Sequence, residues 1–393
     1  MKLVKKYKIK LKRKDKKNLE CQAELCRQLW NLALEQRIMA WKLRKITINI
    51  YDQKKELPGL KQEFPEFDTV YNKYLSAVLF RLEAAFKAFF RRIGNEEKPG
   101  FPRFKSKKRF FSLESPGDYC NRINDFTLRL PQGIVLKVKE KLPDKIGTIV
   151  IKKQNQSWYI TIVSEVETAQ PKECQSILAF DLGIKSLAVG FNGESFKEFH
   201  SLKQIRYFDK IVDSLKSKRS KCKKGSRRYR SYTKAIRRAC HTISNKRSNH
   251  FHHVTKWIMT KEAENAIVVG DFKVREMLDE NNNKLNRETQ NRWAIHEFIS
   301  MLSYKAKLYG KQFFTISEHN TTKLCSSCGS IKKMALANRI YSCDKCGFQL
   351  DRDQNSAINI YKRSVNILKL SLKQPLAVLR PAEATEKSEV STK

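Results

Sequence analysis

Ile177-Leu178-Ala179-Phe180-Asp181-Leu182-Gly183 is the stretch on which the fold turns. Four apolar residues followed by an acid and, two positions on, a glycine describe a strand buried on both faces that ends on a carboxylate. After it, Ser186 to Phe191 reads as a second strand with a turn at Asn192-Gly193. Residues 201 to 250 are helical in pattern and hold 17 Lys plus Arg against Asp209 and Asp213, a net of +15. Ala266-Ile267-Val268-Val269 predicts a third buried strand, followed by a polar loop at Asn281-Asn282-Asn283. A helix is expected from about Arg292 to Tyr309, with Gly310 ending it, then a strand over Gln312 to Ser317 and a helix start at Asp353 to Tyr361.

The preceding half has a different texture. Tyr7-Lys8-Ile9-Lys10-Leu11 alternates apolar and basic residues, the period of a half-buried strand with one cationic face. Apolar residues recur at three- and four-residue spacing over Leu19 to Arg44 and Phe67 to Arg92, predicting amphipathic helices. Pro99-Gly100-Phe101-Pro102 breaks that pattern, and Ile134 to Val138, Gly147 to Lys152 and Trp158 to Val163 read as strands of a small barrel or sheet completed by the first strand. From about Gln374 the chain is polar and tail-like, and no internal repeat is visible.

Across 393 residues, 80 Lys plus Arg stand against 40 Asp plus Glu, a formal charge of +40. Solubility needs far less, so a large polyanion is the expected partner. With 40% hydrophobic residues the chain can build folded cores of two or three domains, which excludes wholesale disorder. No apolar run approaches the length of a membrane span, and the basic opening from Met1 to Lys14 lacks a signal-peptide core. The expectation is a soluble, unsecreted, cytoplasmic protein, nucleoid-associated in a prokaryote.

Of ten cysteines, six are scattered, which suits a reducing compartment. The other four, Cys325, Cys328, Cys343 and Cys346, form two C-x-x-C pairs, each followed by a glycine, Gly329 and Gly347. Four soft thiolates at this spacing close a tetrahedral site with no open position, so one structural Zn2+ is expected to hold a segment too short to bury its own core.

Acids stand where strands end or helices begin: Asp181, the Gly270-Asp271 region, and Asp351-Arg352-Asp353-Gln354-Asn355. Carboxylates gathered from separate strands at one sheet edge are what two-metal phosphodiester hydrolysis requires, with two Mg2+ ions clamping attacking and leaving oxygens. The element order (strand, hairpin, basic helix, strand, helix, strand, helix) is that of an RNase H-like fold. A strand-embedded Asp is also commonly a cap or turn residue.

Five segments together resemble the TnpB family, RNA-guided nucleases of insertion sequences related to type V CRISPR effectors and Fanzor proteins. They are Gly100-Phe101-Pro102-Arg103-Phe104-Lys105, Phe180-Asp181-Leu182-Gly183-Ile184-Lys185, Ser303-Tyr304-Lys305-Ala306, Thr321-Thr322-Lys323-Leu324-Cys325-Ser326-Ser327-Cys328-Gly329 and Asp351-Arg352-Asp353-Gln354-Asn355-Ser356-Ala357-Ile358-Asn359-Ile360. The resemblance implies an α/β multidomain protein: a β-barrel wedge domain over 1–11 and 98–172, a helical recognition domain over 12–97, and an RNase H-like RuvC nuclease domain over 173–323 and 351–373. A zinc ribbon over 324–350 would be inserted in the last, with a disordered tail at 374–393. It further implies a guide RNA and double-stranded target DNA with a short flanking motif as partners, and Mg2+-dependent DNA cleavage. The first and last RuvC acids map onto Asp181 and Asp353, with Asp351 the lesser candidate.

The middle acid departs from the family pattern. Where an apolar strand is followed by Glu-Asp in relatives, this chain has Val268-Val269-Gly270-Asp271. Asp271 cannot take over, because one step along a strand turns the side chain to the other face. Glu318, at the end of the neighbouring strand, is the expected substitute, as in a branch of the family with a rearranged glutamate; glycine at 270 would leave it room. The expected catalytic and Mg2+-binding set is therefore Asp181, Glu318 and Asp353. Two alternatives are a nuclease-inactive RNA-guided DNA-binding repressor and an unguided zinc-ribbon DNA-binding protein.

Nucleic-acid contacts are expected from Lys218, Arg219, Lys221, Lys223, Lys224, Arg227, Arg228 and Arg230. Tyr229 and Tyr232 are candidates for stacking on bases or for packing. Trp293, Phe298, Leu302 and Tyr309 read as core, and His250, His252 and His253 as packing or phosphate contacts rather than a second metal site.

Overall fold

The computed structural model describes residues 1–107, 112–155, 157–184, 186–271, 286, 294–334 and 338–368. Asn281, Asn282, Asn283, Trp293, Lys185, the end of the Phe101 to Phe111 stretch and the tail from Gln374 lie outside the described residues. The chain divides into two compact units, Met1–Val166 and the part from Glu167 onward.

In the first unit, β1 (Lys2–Ile9) leads into α1 (Arg13–Arg44), the short α2 (Ile50–Lys55) and α3 (Leu57–Glu63), and α4 (Asn72–Gly94). The apolar spacing seen in sequence places Leu19, Ala23, Cys26, Trp30, Ala33 and Leu34 on one buried stripe of α1. Its end is set by Lys45, which turns left-handed at φ 56° and bonds back to the last carbonyls. A capping box on Asn49 and Asp52 starts α2, an element the apolar period did not predict. Arg37 is buried among these helices, pairing with Glu83 at 2.9 Å and Gln53 at 2.9 Å; removing either partner of such a buried pair costs about 3–5 kcal/mol.

The remaining strands of this unit are β2 (Ser112–Ser115), β3 (Asn121–Asn124), β4 (Thr127–Arg129), β5 (Val135–Lys137), β6 (Ile149–Gln154) and β7 (Ser157–Glu165). They form an antiparallel sheet of order β1-β7-β6-β2 and a second of order β3-β4-β5, joined by a bridge between Lys10 and Lys137. Strand β7 alternates cleanly, with Trp158, Ile160 and Ile162 buried and Tyr159, Thr161 and Val163 on the other face. One apolar cluster joins the buried sides of α1, α4 and both sheets.

The second unit is built on a five-stranded sheet. Its strands are β8 (Ile177–Asp181), β9 (Ser186–Phe191), β10 (Phe196–His200), β11 (Ala266–Gly270) and β12 (Gln312–Ile316), in the order β10-β9-β8-β11-β12. The first three pair antiparallel, whereas β8, β11 and β12 run parallel. Helices α5 (Gln204–Ser220) and α6 (Arg227–Lys261) link β10 to β11, and α7 (Ile295–Leu308) leads to β12. After β13 (Ile340–Ser342) and β14 (Gln349–Asp351), α8 (Arg352–Leu368) closes the described chain.

Period-2 alternation sorts the sheet into two faces. Leu178 and Phe180 of β8 and Ile267 and Val269 of β11 pack with Phe251, Phe298 and Leu302 of α6 and α7. Ile177 and Ala179, with Ala266 and Val268, pack instead against Ala357, Ile360 and Tyr361 of α8. Phe180 is fully buried, and truncating such a ring to alanine costs about 3–5 kcal/mol. Parity therefore puts Asp181 and Gly270 on the α8 face, and residue 271 off it. Among the described residues no helix is long and apolar enough to cross a membrane.

Candidate active site

Asp181 is the last residue of β8, at the carboxyl edge of the parallel strands. Register with β11 pairs Val269 with Phe180, so one step further brings Gly270 level with Asp181; on its other side Gly270 pairs with Ile316 of β12. Two residues past Ile316, Glu318 reaches back over this edge. A Cβ built on Gly270 would lie 2.2 Å from Glu318 Oε2 and 3.1 Å from Glu318 Cβ. The carboxylate thus occupies the space that any side chain at 270 would need.

Asp353 arrives from the first turn of α8. Asp351 caps that helix, its Oδ1 accepting from the Asp353 N–H at 2.8 Å, which leaves Asp353 to face the sheet. Its Oδ2 lies 3.9 Å from where a Cβ on Gly183 would stand, just beyond β8. Arg339 and Arg352 each approach its carboxylate at 3.5 Å. Ser356, one helical turn on, donates to Asp181 Oδ1 at 3.0 Å and is 3.2 Å from Thr321 Oγ1.

The electrostatics follow from this crowding. Burial, and then the negative charge of Asp353, push the Asp181 carboxyl well above the usual carboxylate range, with Glu318 adding to the rise and the Ser356 hydrogen bond opposing it. Burial and the neighbouring Asp271 raise Glu318 to about 7. With the buried Asp353, the buried Asp181 and the half-buried Glu318 form a hard-oxygen donor set whose charge calls for a divalent cation. The three do not all approach within the 4.8 Å that the four cysteine ligand atoms meet; a site for two ions needs carboxylates spread around both.

Those cysteines gather as the spacing predicts. The sulfurs of Cys325 and Cys346 are 3.8 Å apart and those of Cys328 and Cys343 3.6 Å. The two knuckles repeat one geometry: Gly329 and Gly347 are left-handed at φ 74° and 69°, each donating to the carbonyl of the first cysteine of its pair at 3.0 Å. Ser330, 3.1 Å from Cys343 Sγ, and the backbone N–H groups of Cys346 and Lys345 lower that thiol to about 6, the thiolate form a metal needs. The cluster fits a zinc ribbon, with the buried Tyr341 as its small core.

α8 also grips the base of this module. Asn355 accepts from Ser326 N at 3.0 Å and donates to the Leu324 carbonyl at 2.8 Å, and Asn359 donates to the Thr321 and Leu324 carbonyls at 2.8 and 2.7 Å. Sequence reasoning assigned no role to Ser356, Asn359, Arg339 or Arg352. The available clue was polar residues at three-residue spacing, Asn355-Ser356 and Asn359, set among buried Ala357, Ile358 and Ile360.

The basic residues fall on a helical hairpin. Lys218 and Arg219 end α5, Lys221, Lys223 and Lys224 lie in the turn, and Arg227, Arg228 and Arg230 open α6. All are exposed except Arg219, which sits 5.5 Å over the half-buried Tyr229 ring. Three arginines at a helix N-terminus oppose the macrodipole, an arrangement that favours an external anion. His250 bonds the His200 carbonyl at 2.9 Å, and among the described residues the histidines join no metal-ligating group.

Two family models match the chain: one described as a probable transposase over residues 161–281, and a Cas12f1-like TNB domain over 296–360. A Streptomyces pristinaespiralis protein carrying the provisional name RNA-guided DNA endonuclease is 26% identical over 85% of this chain and 82% of its own length. A TnpB-like protein of Acanthamoeba polyphaga mimivirus is 28% identical over 52% of this chain, but that match spans only 35% of the viral protein. These matches point to the TnpB family. Its fold is shared with the protein of a Cas12f1–sgRNA–target DNA complex, at a TM-score of 0.62 and 15% identity over 89% of this chain and 83% of that one. Set beside that family, the chain carries glycine at 270 where the resemblance leads one to expect glutamate.

Proposed function

We propose that the chain is an RNA-guided DNA endonuclease whose RuvC site uses Asp181, Glu318 and Asp353. The observation that carries this reading is the carboxylate of Glu318 seated in front of Gly270, on the sheet edge where Asp181 ends β8. In this reading 1–11 and 98–172 form the wedge, 12–97 the recognition domain, 173–323 and 351–373 an RNase H-like RuvC domain, and 324–350 the zinc ribbon. Guide RNA pairing selects the target DNA, and the protein reads a short flanking motif.

Two Mg2+ ions held by these carboxylates would activate the attacking water and stabilise the leaving oxygen. The chain's own part is to hold the donors: Ser356 fixes one oxygen of Asp181, the cap on Asp351 orients Asp353, and partial burial limits the solvation of Glu318. Arg339 and Arg352 neutralise Asp353 at the mouth of the site. The hairpin lysines and arginines then bind phosphates, so affinity falls steeply with salt.

The test is to purify the protein with its co-bound RNA and assay cleavage of a guide-matched duplex in Mg2+. Asp181→Ala and Glu318→Gln should abolish cutting while RNA-dependent DNA binding persists. Equal cutting by Glu318→Gln and wild type would overturn the assignment of Glu318. Wild type that binds the matched duplex but leaves it intact would instead make the protein a guided binder.

A further inference from the structure

Glu318 stands where no strand pairing holds it. The last ladder pair between β11 and β12 joins Gly270 to Ile316, and the Asp271 N–H donates to the Ile316 carbonyl at 2.6 Å. A glutamate at 270 would take its backbone angles from that ladder, whereas one at 318, two residues beyond it, must take them from other bonds. Arg363 of α8 makes two of these. One terminal nitrogen of its guanidinium donates to the Ser317 carbonyl and the other to the His319 carbonyl, the second at 3.1 Å. A single side chain thus grips the backbone on both sides of Glu318.

Thr321 holds the carbonyl between them. Its N–H and its hydroxyl both donate to the Glu318 carbonyl, at 3.1 and 2.9 Å. Peptide units are planar, so fixing the Ser317 and Glu318 carbonyls orients the two planes that meet at the Glu318 Cα and sets both of its backbone angles. The planar fork of an arginine suits two acceptors at once, while a lysine ammonium is a point donor on a flexible stem. Arg363 also lies seven residues past Ser356, about two turns, and therefore on the same face of α8. That helix then brings to one sheet edge Asp353 itself, the hydroxyl on Asp181 and the guanidinium behind Glu318.

We propose that Arg363 is a positioning residue for Glu318, its guanidinium doing for this glutamate what strand pairing would do for one at 270. The inference rests on the functional reading above, in which Glu318 is a metal ligand, and adds the residue that makes a ligand beyond the strand end precise.

The experiment titrates Mn2+ into the full-length protein with its co-bound RNA, following the free ion by electron paramagnetic resonance, with the Asp181→Ala complex giving the background from the RNA. Cleavage of the matched duplex is measured alongside. Arg363→Gln should weaken Mn2+ binding about 10–100-fold and lower kcat by a similar factor, at an unchanged Kd for the duplex. Arg363→Lys, which keeps the charge without the fork, should stay well below wild type in both. In Glu318→Gln protein, already without the ligand, Arg363→Gln should cause no further loss of Mn2+ affinity, because the two residues act as one unit. Thermal melts check the fold, and Arg363→Lys carries the comparison if the Gln variant is unstable. Wild-type Mn2+ affinity in the Arg363 variants beside a weakened Glu318→Gln would overturn this role and leave the functional reading intact, as would losses that add in the double variant. A defect confined to the Kd for the duplex would make Arg363 a phosphate contact and overturn the role too. Unchanged Mn2+ affinity in Glu318→Gln itself would overturn both.

Discussion

Glu318 Oε2 lies 2.2 Å from the point at which a side chain on Gly270 would begin. The two positions are therefore mutually exclusive sources of one carboxylate. Gly270→Ala should displace the flexible end of Glu318 while leaving the strand intact, so cleavage falls by about tenfold or more for a shift of an ångström in a positioned group. Cleavage kinetics beside a thermal melt separate the two effects. Gly270→Glu should be inactive alone and regain cutting when combined with Glu318→Ala, which vacates the space.

Ser356→Ala removes the donor at 3.0 Å from the buried Asp181. Loss of one buried hydrogen bond should cost about 1–3 kcal/mol in a urea titration, and Mn2+ affinity should drop about 10–100-fold, as for other partners that orient a metal ligand. Unchanged Mn2+ affinity would show that Ser356 does not orient Asp181.

One zinc per chain is expected by elemental analysis. Cys343→Ser should lose it and expose 324–350 to protease, because structural zinc contributes on the order of 10 kcal/mol to the folding of such a module. Hydrogen exchange should also rise at Asn355 and Asn359, whose partners lie in the ribbon base.

Neutralising Lys223, Lys224, Arg227 and Arg228 to Gln should flatten the dependence of log affinity on log salt by about 0.9 per lost duplex-phosphate contact, measured by filter binding. An unchanged slope would place the polyanion elsewhere.

Lys305 of α7 is buried and donates to the His252 carbonyl and Thr255 Oγ1, both at 2.7 Å. Burial, then Lys256, lowers it from 10.5 to about 8. Between those values the unfolded chain binds more protons than the folded one, so this group's contribution to stability rises as pH climbs through that window. Melting curves across it for wild type and Lys305→Met should converge at the alkaline end if the residue behaves so.

The sheet was legible because its strands are runs of Ile, Val, Ala and Phe with no competing period, as in Ile177–Asp181 and Ala266–Gly270. The four cysteines were legible because metal spacing is local in sequence. What stayed hidden depends on contacts between distant segments. The Ser356 hydrogen bond joins residues 175 apart, and Arg339 reaches Asp353 through the pairing of β13 with β14. The α2 and α3 helices are too short to carry an apolar period and rest on the Asn49 cap and on packing. Alternation could place Gly270 and Asp271 on opposite faces, but the direction of Glu318, beyond the end of its strand, needed coordinates.

The grip of Asn355 and Asn359 on Thr321, Leu324 and Ser326 bears on how such chains can be shortened or recombined. A chimaera spliced at the two ends of the cysteine module would strand these amides in an apolar interior with nothing to bond. Any transplant should therefore carry the opening turns of α8 along with the ribbon, as one exchangeable cassette.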